Sequence, residues 1–269
     1  MKIGIFSGTI PSEKFINNLI NGIADEGNKV FIYGKEKNKK YFLYQNNVIK
    51  RKFYSNKYQV FFYSVFYIFK LFIFNYTLCF NVISQIIQNS KSTVEIFHRC
   101  CKVLPPFLDD IDILHIQWTK TIVKYPEIID NINCPVILSF RGAHINYSPL
   151  SNSDLVQGYK KYFPKVSAFH AVSNAIAKEA QKYLTDYSKI TVIHPAVDKK
   201  LIRYRLEKYT KPKKLKIVSV GRCHWKKGYS TALEAMAELK NKDIKFSYTI
   251  IASGEDTESI NFHINDLDL

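Results

Sequence analysis

The segment Val220-Gly221-Arg222-Cys223-His224-Trp225-Lys226-Lys227-Gly228-Tyr229 sets cations around a glycine turn that leads from an apolar run into a helical pattern. Such a turn aims backbone N–H groups and the positive end of a helix at one point, which suits an anion. Arg222 can grip a diphosphate through two N–H groups, and Lys227 offers a compact charge to a leaving phosphate. A basic surface loop is the plainer alternative, and a lone Gly-Lys pair would favour it. The strand, the spacing and the helix start together favour the phosphate site.

Two further turns carry polar groups. Gly8 to Pro11 follows the first apolar run, and His115-Ile116-Gln117-Trp118 closes a later one. Both Gly8 and Trp118 are candidates for acceptor or donor contacts, since strand ends of this kind open on one crevice. His115 lies inside an apolar run and reads as core. The Trp118 indole reads equally as core or as a platform on which a sugar stacks. His98 and the Cys100-Cys101 pair have no metal partners at useful spacing, so no metal site is expected.

The elements that must hold these groups follow an α/β pattern. Lys2 to Phe6 reads as a strand ending at Ser7-Gly8, Ser12 to Glu26 as a helix stopped by Gly27, and Lys29 to Tyr33 as a second strand. That order is a βαβ unit, whose right-handed crossover implies a parallel sheet. The runs Ile111 to Ile116, Pro135 to Phe140, Ala168 to Val172 and Ile190 to Ile193 are short, apolar and bounded by turns, and read as further parallel strands. With helices such as Asn174 to Leu184 between them, residues 1–198 form a Rossmann-like, doubly wound parallel sheet domain. Residues 199–214, dense in charge and ending in Lys211-Pro212-Lys213-Lys214, read as a linker.

Residues 215–269 begin a second domain. Leu215 to Val220 reads as a strand, Tyr229 to Leu239 as a helix with capping-box spacing at Thr231 and Glu234, and Phe246 to Ala252 as a strand followed by Ser253-Gly254-Glu255. Two strands do not complete a Rossmann-like sheet. The second domain is therefore expected to be incomplete.

Composition narrows the class. The chain has 269 residues, 46% of them hydrophobic, enough to bury a core and too apolar for a disordered chain. A net charge of +16 calls for an acidic partner: nucleic acid, anionic lipid or a phosphorylated substrate. The short basic cluster from Lys35 to Lys40 reads as a solvated loop at a strand end. Most aromatics fall in apolar runs rather than interleaved with basic residues, so nucleic acid is not the expected partner. Five cysteines at positions 79, 100, 101, 134 and 223 without paired spacing argue against a disulfide framework and fit a reducing cytoplasm. The run from Tyr58 to Phe80 carries Lys70 as its only charge and nearly reaches the length of a membrane span. Its polar and aromatic content favours a buried or interfacial helix, which leaves open a peripheral place on the inner face of the cytoplasmic membrane.

The motif order resembles the retaining glycosyltransferases of family 4, whose donor domain carries Gly-Arg and then Lys-Gly at a helix start. Gly221-Arg222 and Lys227-Gly228 match that pattern. Ile250-Ile251-Ala252-Ser253-Gly254-Glu255, Ala171-Val172-Ser173-Asn174 and Ile193-His194-Pro195-Ala196-Val197-Asp198 are similar to other family segments. Pro11-Ser12-Glu13 with Phe15-Ile16 looks like the start of members that build exopolysaccharide and capsule chains. The resemblance implies a GT-B architecture and transfer of a sugar from a nucleotide-diphosphate donor to a saccharide or lipid-linked acceptor, with retention. It implies neither a metal nor a cofactor beyond the nucleotide-sugar substrate. It also implies that Gly221, Arg222, Lys227 and Gly228 bind the diphosphate, consistent with stabilising developing negative charge.

Two departures stand out. Where family members have His-Gly followed by an acid, this chain has Arg141-Gly142-Ala143-His144, with Arg141 in the histidine position and His144 in the acid's. Both are carried as catalytic candidates, Arg141 for a phosphate or sugar hydroxyl and His144 as a hydrogen-bonder near the reacting centre. The family's acidic region for the donor's sugar and ribose falls beyond Leu269. A degenerate, non-catalytic fragment is therefore an alternative to an enzyme, beside a basic nucleic-acid-binding module.

Overall fold

The computed structural model describes residues 1–37, 44–196 and 214–269. All but Lys214 of the linker expected at 199–214, Asn38 to Lys40 of the basic cluster, and Val197 and Asp198 of the motif noted above lie outside the described residues. The chain divides into two compact units, Met1–Val197 and Asp198–Leu269, called units 1 and 2 below.

Unit 1 is built on seven strands: β1 (Lys2–Ile10), β2 (Lys29–Glu36), β3 (Val48–Phe53), β4 (Ile113–Ile116), β5 (Val136–Phe140), β6 (Ala168–Ala171) and β7 (Ile190–Val192). All pairings are parallel, in the order β3-β2-β1-β4-β5-β6-β7. The order reverses between β1 and β4, so the crevice of the doubly wound sheet opens at the C-terminal ends of these two strands. β3 was not expected, because Lys50, Arg51 and Lys52 mask its alternation. Charges of that kind are normal on a sheet edge.

Neighbouring residues of β1 point to opposite faces, and both faces are covered. Ile5 packs with Val30 and Ile32 against Ile16, Ile20 and Ala24 of helix α1 (Lys14–Asp25). Phe6 packs on the other side with Phe31, Tyr33, Leu114 and Phe140. α1 starts at Lys14 rather than Ser12, since Ser12 N–H donates to Asn17 Oδ1 and Asn17 Nδ2 donates to Ser12 O, both at 3.0 Å.

The long apolar run forms two helices, α2 (Lys57–Phe74) and α3 (Tyr76–Gln88). Asn75 separates them: its backbone is extended and its side chain accepts from Leu78 N–H at 2.9 Å, capping α3. Only Val60, Ser64 and Leu71 of α2 are buried, so the run is not a core helix. Val60 and Ser64 meet α4 (Thr93–Val103), where Ser64 Oγ donates to Phe97 O at 2.7 Å and Cys101 Sγ to Val60 O at 3.1 Å.

Unit 2 pairs β8 (Leu215–Arg222) with β9 (Phe246–Ser253) in parallel and adds helices Tyr229–Asn241 and Thr257–Asp266. Its core is small, with Cys223, Tyr229, Leu233 and Ile260 buried. The capping box expected at Thr231 and Glu234 does not form. The helix starts at Tyr229 behind Gly228, which sits in the left-handed region at φ +68°, so Thr231 falls inside the first turn.

Candidate functional site

In unit 2 the turn expected to hold an anion follows the C-terminal end of β8. A short 3-10 turn, Trp225–Lys227, leads from the strand, with Lys227 N–H donating to His224 O at 2.8 Å and Gly228 N–H to Trp225 O at 3.0 Å. The positive φ of Gly228 then swings the chain into the helix. Tyr229, Ser230 and Thr231 begin that helix, and first-turn N–H groups have no partner within a helix. Gly221 lies under this turn: a Cβ there would come within 2.9 Å of Tyr229 Oη and 3.3 Å of Lys227 Cε. The Lys227 stem thus folds back over the strand end at Gly221. Arg222 and Lys227 are both exposed, and among the described residues neither has an ion-pair partner.

The loop after β9 packs against the same place. Cys223 N–H donates to Ser253 O at 2.9 Å, and Asp256 N–H to Cys223 O at 3.3 Å. Gly254 has φ +152°, and a Cβ on it would stand 2.5 Å from Cys223 O, so no other residue fits without moving backbone. A separate cavity of about 670 Å³ lies between the two helices and β9, lined by Leu233, Met236, Phe246, Ile250 and Ile260. It is mostly apolar and touches neither Arg222 nor Lys227. Its walls are the incompletely filled core, not the anion turn.

In unit 1 the crevice at the switch point gathers Trp118, Arg141 and His144. Trp118 Nε1 donates to Ser7 O at 2.8 Å, fixing the indole at the end of β1 next to Gly8, whose φ is +79°. The Arg141 guanidinium lies 4.4 Å from the Phe15 ring centroid and 6.0 Å from that of Trp118, and donates to Gln117 Oε1 at 2.7 Å. Burial pulls its pKa down to about 10, which still leaves it charged at neutral pH. The His144 ring centroid is 5.5 Å from that of Trp118, and burial followed by the charge of Lys120 lowers its pKa to about 4. His144 is therefore neutral at pH 7, able to exchange hydrogen bonds but a weak base. Two buried polar atoms at this spot, His144 Nδ1 and Gln117 Nε2, lack a protein partner. Such orphans suit a polar ligand or water.

Behind the crevice runs a chain of hydrogen bonds that was not expected. Ser139 Oγ is 2.9 Å from both His115 Nε2 and His170 Nδ1, and His170 Nε2 is 3.0 Å from Ile193 O. A carbonyl only accepts, so His170 donates through Nε2 and receives the Ser139 hydroxyl proton at Nδ1. His115 then donates to Ser139. Burial first, and then its neighbours His170 and Arg141, lower the His115 pKa to about 3. The core reading of His115 agrees with this placement, but its partners Ser139 and His170 carried no sequence signal beyond polarity inside apolar strands. Among the described residues no three His, Cys, Asp or Glu side chains are grouped to hold a metal ion, and all five cysteines are free thiols.

Comparison with known proteins adds the family. The model of glycosyltransferase family 4 matches residues 12–201. No curated protein matches the chain significantly in sequence. Among solved structures, the apo lipopolysaccharide outer core galactosyltransferase WaaB is similar with a TM-score of 0.56 at 12% identity, covering 100% of this chain and 65% of its own. Sucrose-phosphate synthase from Thermosynechococcus elongatus gives 0.63 at 10% identity, covering 100% and 68%. S. aureus TarM, in complex with fondaparinux, alpha-GlcNAc-glycerol and UDP, gives 0.59 at 10% identity, covering 100% and 75%. At such identities the likeness shows the fold, which is that of GT-B glycosyltransferases, and this chain spans about two thirds of WaaB's length.

Proposed function

Because the chain belongs to glycosyltransferase family 4, we propose that the protein moves a sugar from a nucleotide-diphosphate sugar to a saccharide acceptor, with residues 215–269 on the donor side and residues 1–198 on the acceptor side. In this reaction the bond from the anomeric carbon to the diphosphate oxygen breaks, and its electron pair leaves on the phosphate. The acceptor hydroxyl oxygen bonds to that carbon and passes its proton to the leaving diphosphate. Arg222 and Lys227 neutralise the leaving diphosphate, while the N–H groups of the helix behind Gly228 face the same charge. Arg141 holds a phosphate or sugar hydroxyl, Trp118 offers its ring to a sugar, and neutral His144 exchanges a hydrogen bond near the reacting centre.

The observation that carries this reading is the Lys227 stem lying over Gly221 at the start of a helix, with Arg222 the next residue at the end of β8. The UDP in the TarM structure supports a uridine nucleotide as first probe. Retention, a lipid-linked acceptor in polysaccharide or glycoconjugate synthesis, and a working place on the cytoplasmic face of an anionic membrane belong to the same proposal. Its support is the motif order, the +16 charge and the outward apolar face of α2. Calorimetric titration of UDP into the full chain tests it: Arg222→Ala and Lys227→Ala should each weaken binding about ten- to hundredfold, the worth of one or two charge-assisted hydrogen bonds. Unchanged affinity in both variants, or no UDP binding by the parent chain, overturns the assignment.

A further inference from the structure

We propose that the protein docks on anionic membranes through the outward face of α2 and the start of α3, and that a basic pocket beside α2 receives an anionic phospholipid headgroup. This rests on the membrane-surface part of the functional reading and names the surface and the ligand. Phe61, Phe62, Phe69, Phe72, Ile73 and Phe80 are 48–69% exposed, an uninterrupted set of large apolar side chains on one side of the helix pair. Single exposed apolar residues are ordinary; a contiguous aromatic face is a contact surface.

By length and composition α2 could cross a bilayer. Its other side, however, is held on α4 by Val60 and Ser64, with the Ser64 and Cys101 hydrogen bonds given above, and Leu71 is buried in the core of unit 1. Held in that way, the helix lies against the body of unit 1. It can sink an aromatic face into an interface without spanning it.

The pocket supplies the second, independent observation. It has a volume of about 310 Å³ and is lined by Lys50, Arg51, Lys52, Tyr63, Tyr67 and Lys70 among others, with Asp109 the one carboxylate in its wall. Arg51 is already matched, its Nε donating to both Asp109 oxygens at 2.8 and 2.9 Å. Lys52 pairs with Glu36 at 2.7 Å. Among the described residues Lys50 and Lys70 have no carboxylate partner; the Lys50 ammonium lies 5.4 Å from the Tyr44 ring centroid, and Lys70 is the surplus positive charge on the α2 side.

Helix geometry joins the two features. Tyr63, Phe66, Tyr67 and Lys70 line the pocket at helical spacing, and Phe62 and Phe69 each precede one of them by a single residue, about 100° round the helix. When the aromatic face enters the acyl boundary, the pocket mouth stands beside it at headgroup level. Cations there meet lipid phosphates, and the tyrosine hydroxyls can donate to them. Nucleic acid fits less well, because it would leave the Phe and Ile side chains without apolar cover. A second copy of this chain would cover them but set Lys50 and Lys70 near their own kind.

Sedimentation of the full chain with vesicles tests the proposal, using phosphatidylcholine alone and phosphatidylcholine with about one third phosphatidylglycerol. Binding should favour the mixed vesicles and fall with salt. Phe62→Ser with Phe69→Ser should lower binding to the mixed vesicles by about tenfold or more. Lys50→Gln with Lys70→Gln should remove most of the preference for phosphatidylglycerol, about fivefold per lysine, while leaving the weaker binding to neutral vesicles in place. All four positions are exposed, and circular dichroism with urea unfolding followed by Trp118 checks that each variant stays folded.

A parent chain that remains in the supernatant with both vesicles overturns the proposal, as does a serine variant that binds like the parent. Retained phosphatidylglycerol preference in the glutamine variant overturns the headgroup pocket. If the parent ignores vesicles but forms a dimer that the serine variant dissolves, the face serves self-association instead. UDP binding that survives any of these failures leaves the sugar-transfer reading standing, and its loss with vesicle binding intact does the reverse.

Discussion

Units 1 and 2 use the same strand–helix–strand grammar with opposite results in burial. Ile5 and Phe6 on β1 are 0% and 2% exposed, because α1 covers one face of the sheet and the helices around α2 to α4 the other. Val218 and Val220 on β8, in a run just as rich in β-branched residues, are 60% and 72% exposed, and Ile251 on β9 is 58% exposed. Apolar content makes a strand; the layers laid on it decide whether the strand is core. The site groups divide the same way. Arg141 is half-buried and bonded to Gln117, whereas Arg222 and Lys227 stand in solvent. Unit 1 offers desolvated polar groups with fixed partners, and unit 2 offers solvated charges whose grip on an anion should weaken with salt.

The largest expected effect is that of acid on unit 1. The His115 pKa falls from 6.5 to about 3 and that of His144 from 6.5 to about 4, both mainly by burial. Below pH 6.5 the unfolded chain binds protons at these positions that the native unit does not. Stability is therefore full above 6.5, falls as pH drops, and levels off only near 4 for His144 and near 3 for His115. The slope for a fully buried histidine is on the order of 1.4 kcal/mol per pH unit, and less for the partly exposed His144. Each unit carries one tryptophan, Trp118 and Trp225, so a Trp225→Phe background reports unit 1 alone. Urea midpoints between pH 7 and 5 should fall, and more gently once His115→Gln is added. An unchanged slope would remove His115 from the account.

Next in size is the contrast between two ion pairs. Arg99 Nη2 meets Glu127 Oε1 at 2.6 Å with the carboxylate side chain 0% exposed, and Asn89 Nδ2 donates to the same oxygen at 3.0 Å. In unit 2, Lys240 meets Asp268 at 2.7 Å with the aspartate 98% exposed. Glu127→Ala leaves the buried guanidinium only the Lys124 carbonyl at 2.9 Å and Glu95 at 3.7 Å and should cost about 2–3 kcal/mol, whereas Lys240→Ala should cost less than about 1 kcal/mol. Equal losses in denaturant unfolding would break the comparison.

How much was legible in the sequence follows the same division. All of unit 1's strands except β3 stand out as short apolar runs, since a parallel sheet covered on both faces leaves little alternation to disguise them, and both strands of unit 2 read the same way although one face of their sheet is exposed. β3 stayed hidden because Lys50, Arg51 and Lys52 on an edge strand look like a loop. The Gly221-Arg222 and Lys227-Gly228 turn is local, so its shape could be read from adjacent residues. The His115–Ser139–His170 chain could not, because it joins β4, β5 and β6, and only the register of a folded sheet brings those residues side by side. Asn75 was the missed signal in the long apolar run, a cap residue placed where α2 had to end.

A smaller effect is expected at Gly254, where backbone crowding, not burial, sets the cost. Gly254→Ala forces a Cβ toward Cys223 O and should destabilise unit 2 by about 1–3 kcal/mol, read from Trp225 fluorescence in a Trp118→Phe background. With Gly254→Ala in a Trp225→Phe background, Trp118 should report no change in unit 1. A shift of both probes together would mean that the two units unfold as one.

The smallest expected effect probes the free face of unit 2 directly. Val220 is 72% exposed, and its neighbour Gly221 turns the other way, toward Lys227 and Tyr229. Val220→Thr keeps the β-branch, and therefore the strand preference, while exchanging a methyl group for a hydroxyl. On an open face the hydroxyl stays hydrated, so the change should lie within about 0.5 kcal/mol of zero. Under a packed layer the same hydroxyl would be stripped of water without a partner, at a cost of about 1–3 kcal/mol. Equilibrium unfolding followed by Trp225 separates these outcomes. A loss above about 1 kcal/mol would show that Val218, Val220 and Ile251 are covered in solution, and would erase the contrast with β1.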